Sequence, residues 1–185
     1  MEAPTKKGYT FKGWYNSKGK EVTKIKKGST GDITLSAKWS AKTYKITYKL
    51  DGGKNNSKNP ASYKVTKAVK LQNPTKKGYT FKGWYSDKKL TKPVTEIAEG
   101  TIGSKTLYAK WTATKYKITY NLKGGKISKD NPASYKVTSS TITLKNPTRK
   151  GYKFVGWYNS KGKKVTKISK GSTGNITLTA KWKKK

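Results

Sequence analysis

From residue 44 the chain alternates: Tyr44, Ile46, Tyr48 and Leu50 stand apart from Lys45, Thr47 and Lys49, an apolar face against a solvated one at the period of a strand. Tyr116, Ile118, Tyr120 and Leu122 repeat the pattern. Gly52-Gly53 and Gly124-Gly125 follow at once, and glycine supplies the positive φ that a chain reversal needs. Residues 62–66 then read as the returning strand, which makes a hairpin. Asn73-Pro74-Thr75-Lys76-Lys77-Gly78 puts Asn at a cap, Pro at a first helical position and Gly at an end, and predicts a short helical turn. An aromatic strand starts at Tyr79, and a lysine-rich connection of varying sequence follows it. In the closing strand Ile33, Leu35, Ala37 and Trp39 point one way while Asp32, Thr34, Ser36 and Lys38 point the other. The pattern predicts a β-rich (α+β) chain, with about four strands and a short helical turn in each unit.

That pattern is tandem. Gly-Tyr-Thr-Phe-Lys-Gly-Trp-Tyr at 8–15 recurs at 78–85 and, with Lys153 and Val155 substituted, at 151–158. Ala-Lys-Trp closes at Trp39, Trp111 and Trp182, and Asn-Pro-Ala-Ser-Tyr-Lys-Val-Thr at 59–66 returns unchanged at 131–138. The repeating unit is therefore about seventy residues long. Residues 41–112 form one full repeat, 113–185 a second with a basic tail, and 1–40 the C-terminal half of a truncated repeat. The joints at 40–43 and 112–115 are too short for flexible tethers, so a semi-rigid rod is expected. Met1-Glu2-Ala3 reads as a start that replaces upstream sequence, and the half unit leaves an open strand edge suited to strand exchange or dimerisation.

The strand ending in Gly-Gly, the stretch Pro-Thr-Lys-Lys-Gly-Tyr-Thr-Phe-Lys-Gly-Trp-Tyr at 74–85 and the closing Leu-Tyr-Ala-Lys-Trp at 107–111 resemble the Listeria/Bacteroides repeat, the family that includes the B-repeat of internalin. The resemblance covers essentially the whole chain. It implies a small β-grasp-like unit used in tandem on secreted or surface proteins of bacteria. It implies no enzyme activity and carries over no catalytic motif or agreed ligand. This sequence departs from many relatives in its wealth of lysine.

Charge is what composition adds to that picture. Of 185 residues, 44 are Lys or Arg and 8 are Asp or Glu, for a net charge of +36. Only 31% are hydrophobic and the mean hydropathy is −0.94, values that by themselves describe a disordered polycation. The 6 Trp and 13 Tyr reverse that conclusion, because each large ring buries enough area to hold a small unit together. There is no Cys and no His, which excludes disulfides, thiol nucleophiles, imidazole bases and soft metal ligands. No apolar run is long enough to span a bilayer, and if Lys185 is the native end, attachment is expected to be non-covalent rather than through a wall-sorting motif. Acids do not recur either: Asp32, Asp51 and Glu21 are replaced by Asn175, Lys123 and Lys164, and Glu96 and Glu99 sit in the variable connection. Paired-carboxylate catalysis needs two acids held a few ångströms apart, so no enzyme, cofactor or metal is expected.

The basic residues carry the candidate chemistry. All but Arg149 are lysines, compact hydrated charges without the planar fork that reads phosphates or bases bidentately. They suit a diffuse polyanion: an anionic cell-wall polymer or acidic polysaccharide, or a host glycosaminoglycan, bound through counterion release at the bacterial surface or outside the cell. Nucleic acid would bind in vitro and is not expected as a physiological partner. The recurring positions are the candidates: Lys6, Lys7, Lys76, Lys77, Arg149 and Lys150 before the aromatic strand, and Lys38, Lys110 and Lys181 before the last Trp. Each would otherwise be a solvated residue on the outer face of its strand. Stacking aromatics for sugars are sought among Trp14, Trp84, Trp157, Tyr15, Tyr85 and Tyr158. Strict alternation puts Trp14 and Tyr15 on opposite faces, whereas a bulge at Gly13 would turn both rings inward; core placement of the tryptophans is the expectation for small units without disulfides. A structural spacer and a host adhesin are the rival readings of the whole.

Overall fold

The computed structural model describes residues 1–185. It is built of strands, with no helix. The half repeat contributes β1 (Tyr9–Tyr15) and β2 (Ser36–Ala41), an antiparallel pair. The first full repeat follows with β3 (Thr43–Lys49), β4 (Ser62–Lys64), β5 (Val69–Lys70), β6 (Tyr79–Tyr85), β7 (Pro93–Val94), β8 (Glu96–Ile97) and β9 (Lys105–Ala113). The second is its copy: β10 (Lys115–Asn121), β11 (Ser134–Lys136), β12 (Ile142–Thr143), β13 (Tyr152–Tyr158), β14 (Lys164–Val165), β15 (Lys167–Ile168) and β16 (Ile176–Lys184).

Each full repeat is a five-stranded sheet, ordered β4-β3-β9-β6-β7 in the first and β11-β10-β16-β13-β14 in the second, with a two-stranded ribbon (β5-β8, β12-β15) beside it. The first and last long strands are central neighbours and run parallel: Ile46 lies opposite Lys105 and Tyr48 opposite Leu107, just as Ile118 lies opposite Ile176 and Tyr120 opposite Leu178. The chain forms two compact units, Met1–Pro74 with Gly83–Lys110, and Thr75–Lys82 with Trp111–Lys185.

The alternation read from sequence selects the core. In the second unit Ile118, Tyr135, Leu144, Trp157, Ile168 and Leu178 are buried together, and Phe154 and Trp182 pack on them. Phe154 meets both tryptophans edge to face at 5.4 Å, an arrangement that the ring quadrupoles favour. The reversal after β3 is a two-residue turn with Asp51 at φ 47° and Gly52 at φ 78°, closed by Gly53 N donating to Leu50 O. Two positive φ values make it the mirror-image turn whose twist suits flanking strands, and its second copy places Lys123 at φ 48°.

The short helical turn expected at 73–78 is not there. In the second repeat the corresponding stretch is used sideways: Lys126 N donates to Thr148 O and Thr148 N to Lys126 O, a β-bridge that holds this backbone extended. The glycine then closes a turn, with Tyr152 N donating to Arg149 O. Asn-Pro followed by Gly four residues after the proline satisfies a turn as well as a helix, and lateral pairing decides between them.

The closing strand of the half repeat is shorter than expected. It begins at Ser36, whereas its counterparts start at Lys105 and Ile176. Those residues pair with β3 and β10, and the half repeat has no such strand beside it. Ile33 is accordingly 49% exposed and Ile25 53%, while Ile97 and Ile168, the counterparts of Ile25, are each 4% exposed.

Candidate functional site

The aromatic strand is bent by a bulge in the half repeat and again in the second full repeat. In the half repeat the register passes from Phe11 opposite Trp39 to Gly13 opposite Lys38, so that Lys12 is the extra residue, and Gly13 adopts φ 129°. In the second full repeat the shift falls between Phe154 and Gly156. A side chain at Gly156 would meet only the flexible end of Lys164, so it is the backbone, at positive φ in Gly13 and Gly156, that favours glycine at the bulge. The consequence is that Phe11 and Trp14 share the inner face, with ring centroids 5.6 Å apart.

Both tryptophan and tyrosine had to be placed by that bulge, and it sends them in different directions. Trp84 is 3% exposed and Trp157 2%, so neither offers a face for a sugar to stack on. Their indole nitrogens are fixed as well: Trp84 Nε1 donates to Gln72 O at 3.0 Å and Trp157 Nε1 to Lys145 O at 3.1 Å. Trp14 is half-buried and donates to Glu2 O at 3.2 Å. Tyr15, Tyr85 and Tyr158 stay partly exposed and do not turn inward with the tryptophans.

Each of these tyrosines carries an ammonium. Lys38 Nζ is 3.9 Å from the Tyr15 ring centre, Lys110 5.0 Å from Tyr85, and Lys181 4.2 Å from Tyr158. A second series lies before the aromatic strand: Lys6 is 4.3 Å from Tyr9, Lys76 4.4 Å from Tyr79, and the Arg149 guanidinium 3.8 Å from Tyr152. Lys6 and Lys76 also approach Trp39 and Trp111 at 5.9 Å. The remaining candidates, Lys7, Lys77 and Lys150, are exposed on the adjoining turn. Six of the nine basic residues singled out by recurrence are thus held over aromatic rings, which fixes long side chains that would otherwise move freely. The Lys6-to-Tyr9 spacing was visible in sequence, but the Lys38-to-Tyr15 stack depends on strand register.

Residues that sequence reasoning passed over hold the framework behind this surface. Asn59 clasps the main chain of Gln72, donating from Nδ2 to its O at 2.9 Å and accepting from its N at 2.7 Å. Asn131 does the same with Lys145, at 2.9 Å in both directions. These are the carbonyls that receive the tryptophan N–H groups. Recurrence of the Asn-Pro-Ala-Ser-Tyr motif was the available signal. Tyr63 and Tyr135 donate their hydroxyls at 2.6 Å to Gly103 O and Gly174 O, and desolvation pushes both phenols above the ordinary tyrosine pKa, with Tyr44 and Tyr116 adding to the effect.

Asp87 closes a loop. Burial alone would raise the Asp87 carboxyl, but hydrogen bonds from Lys92 N, Thr91 N and the Thr91 hydroxyl, with the Lys92 charge, hold it below its usual value. In the shorter loops of the other two copies Asn16 accepts from Lys18 N and Lys20 N, and Asn159 from Lys161 N and Lys163 N, so a neutral amide closes the loop there. No group of three or more His, Cys, Asp and Glu is arranged to hold a metal, and no helix is long and apolar enough to cross a membrane.

Residues 1–38, 44–110 and 116–181 match the family described as the Listeria-Bacteroides repeat domain. The chain belongs to this family. Among curated proteins, one named as a Gly-rich membrane protein of Evansella cellulosilytica is 34% identical over 160 residues, 84% of this chain and 18% of that protein. Another, named as a membrane protein of the same organism, is 36% identical over 168 residues, 84% of this chain and 23% of its own length. Internalin H of Listeria monocytogenes is 40% identical over 118 residues, 60% of this chain and 20% of that protein. The chain therefore spans about a fifth of the curated relatives it matches. No solved structure matches it.

Proposed function

We propose that this repeat chain is the non-catalytic, extracellular part of a bacterial surface or secreted protein, and that it attaches that protein non-covalently to anionic cell-wall or surface polymers. The observation that carries the reading is the stacked basic residue beside each aromatic strand, repeated in all three units of a chain with net charge +36. A lysine already held over a ring loses less freedom when it meets an anion than one waving in water. Repetition then multiplies weak contacts into avidity. The tyrosine rings already carry an ammonium, which disfavours neutral sugar stacking as the main mode.

Isolated cell walls test the proposal. The chain is expected to co-sediment with them at about 0.15 M salt and to release steeply as salt rises, since each neutralised anion frees a counterion. Extraction of anionic polymers from the walls is expected to abolish retention. A chain that stays in the supernatant throughout acts as a spacer. Tighter retention on a host glycosaminoglycan than on walls at equal ionic strength favours the adhesin reading.

A further inference from the structure

The two full repeats are copies in fold but not along one edge. In the first, a groove of about 580 Å³ opens beside the edge strand β4, within the range of about 300–1,000 Å³ typical of ligand clefts. Its rim bears Lys58, Lys64, Lys67 and Lys70, all exposed. Its floor is apolar, with Pro60 and Val69, and Thr43, Ser62 and Thr66 contribute hydroxyls. In the second repeat the matching positions are Asp130, Lys136, Ser139 and Thr143. At these four positions the second repeat keeps a single lysine and gains a carboxylate, while across the ribbon the Lys70–Glu96 pair becomes Thr143–Lys167, so one ammonium there changes strand rather than disappearing. Glu96, across β5–β8 from Lys70, is the carboxylate nearest this rim in the strand register, and it leaves the excess positive.

We infer that the β4 groove of the first repeat is a discrete binding site for an anionic saccharide segment, a sugar unit bearing sulfate, carboxylate or phosphate. The inference rests on the polyanion reading above and narrows it to one place. Lysines supply charge without fixed geometry, the hydroxyls match ring hydroxyls, and the apolar floor accepts the C–H face of a sugar. The rim turn is set by the chain itself, with Lys67 N donating to Lys64 O and Thr43 paired with Lys64 across β3–β4. The solvated-surface reading has no reason to place the lysines around a cleft in one repeat and to drop them in its copy.

The test compares the full chain with Lys58→Ser/Lys67→Ser/Lys70→Thr, a variant that takes the second repeat's residues at 67 and 70 and a neutral serine at 58, and with Lys18→Ser/Lys24→Ser/Lys26→Ser, an equal loss of charge from exposed positions in the half repeat. Binding of a heparin hexasaccharide is measured by calorimetry across salt concentration. The groove variant is expected to lose about 100-fold in affinity, and the control severalfold at most. Equal losses in both would overturn the groove and leave the polyanion reading standing. No binding by the unmodified chain to the hexasaccharide or to cell walls would overturn both. Inorganic polyphosphate of similar charge, bound equally well and with the same dependence on the groove lysines, would overturn the saccharide assignment. As an independent arm, Asp130→Lys/Ser139→Lys/Thr143→Lys is expected to raise the stoichiometry from one site to two; an unchanged stoichiometry counts against the groove.

Discussion

At the scale of single residues, the framework depends on a few polar atoms doing double duty. One carbonyl in each full repeat receives both a tryptophan N–H and an asparagine amide. Replacing Asn131 by Ala removes both halves of a clasp and leaves Lys145 N without its acceptor. Urea denaturation of N131A is expected to show a loss of about 0.5–1.5 kcal/mol, the net worth of a hydrogen bond whose freed partner can turn to water. The buried tyrosines predict an alkaline limit. Their phenols titrate higher in the folded state than in the unfolded one, so the neutral form is the one that folding favours. Their contribution is fully present below the unfolded value of about 10 and declines as pH rises through the folded value. A thermal midpoint that falls above pH 10 in parallel with tyrosinate absorbance would show it, and Tyr135→Phe is expected to flatten the fall. Lys123 offers the opposite opportunity. It occupies a positive-φ position of a mirror-image turn that prefers Asn, Asp or Gly, so Lys123→Asn is expected to raise the midpoint of unfolding, consistent with the Asp51 of the other copy.

At the scale of elements, alternation is a local property and was legible, as were the core placement of the tryptophans and a bulge at Gly13 as its means, while the outward facing of the tyrosines was not. Strict period two joined Tyr15 to Phe11 and parted both from Trp14. The extra residue at Lys12 reverses that, since after a bulge every side chain changes face. The helical turn failed for a related reason: its residues suit two local conformations, and a lateral bridge formed with a distant segment chooses one. Context also sets the value of identical residues. Ile25 and Ile168 occupy the same place in the repeat, yet one is exposed where no first strand covers it and the other is buried. Ile168→Ala is therefore expected to cost about 2–5 kcal/mol and Ile25→Ala about 0.5 kcal/mol or less, measured by denaturant unfolding of the full chain.

At the scale of the whole molecule, the excess of 44 basic over 8 acidic residues works against folding through self-repulsion, even while it attracts polyanions. Added salt is expected to raise the melting temperature, most steeply between about 0.01 and 0.15 M, as the Debye length shrinks from about 30 to 8 Å. The same addition is expected to weaken wall binding, so stability and retention should move in opposite directions in a single titration. A melting temperature that fell with salt would show that attractive pairs dominate instead.

The sequence by itself determined the repeat, its strand character, the family and the absence of thiol and imidazole chemistry, because periodicity and composition are properties of the chain read in order. Tertiary structure decided which rings face inward, which lysines are clamped over tyrosine, and that the lysines of 58–70 line one groove. Those outcomes depend on register, bulges and pairing between residues far apart in sequence, and a one-residue shift in any of them moves a side chain to the other side of the sheet.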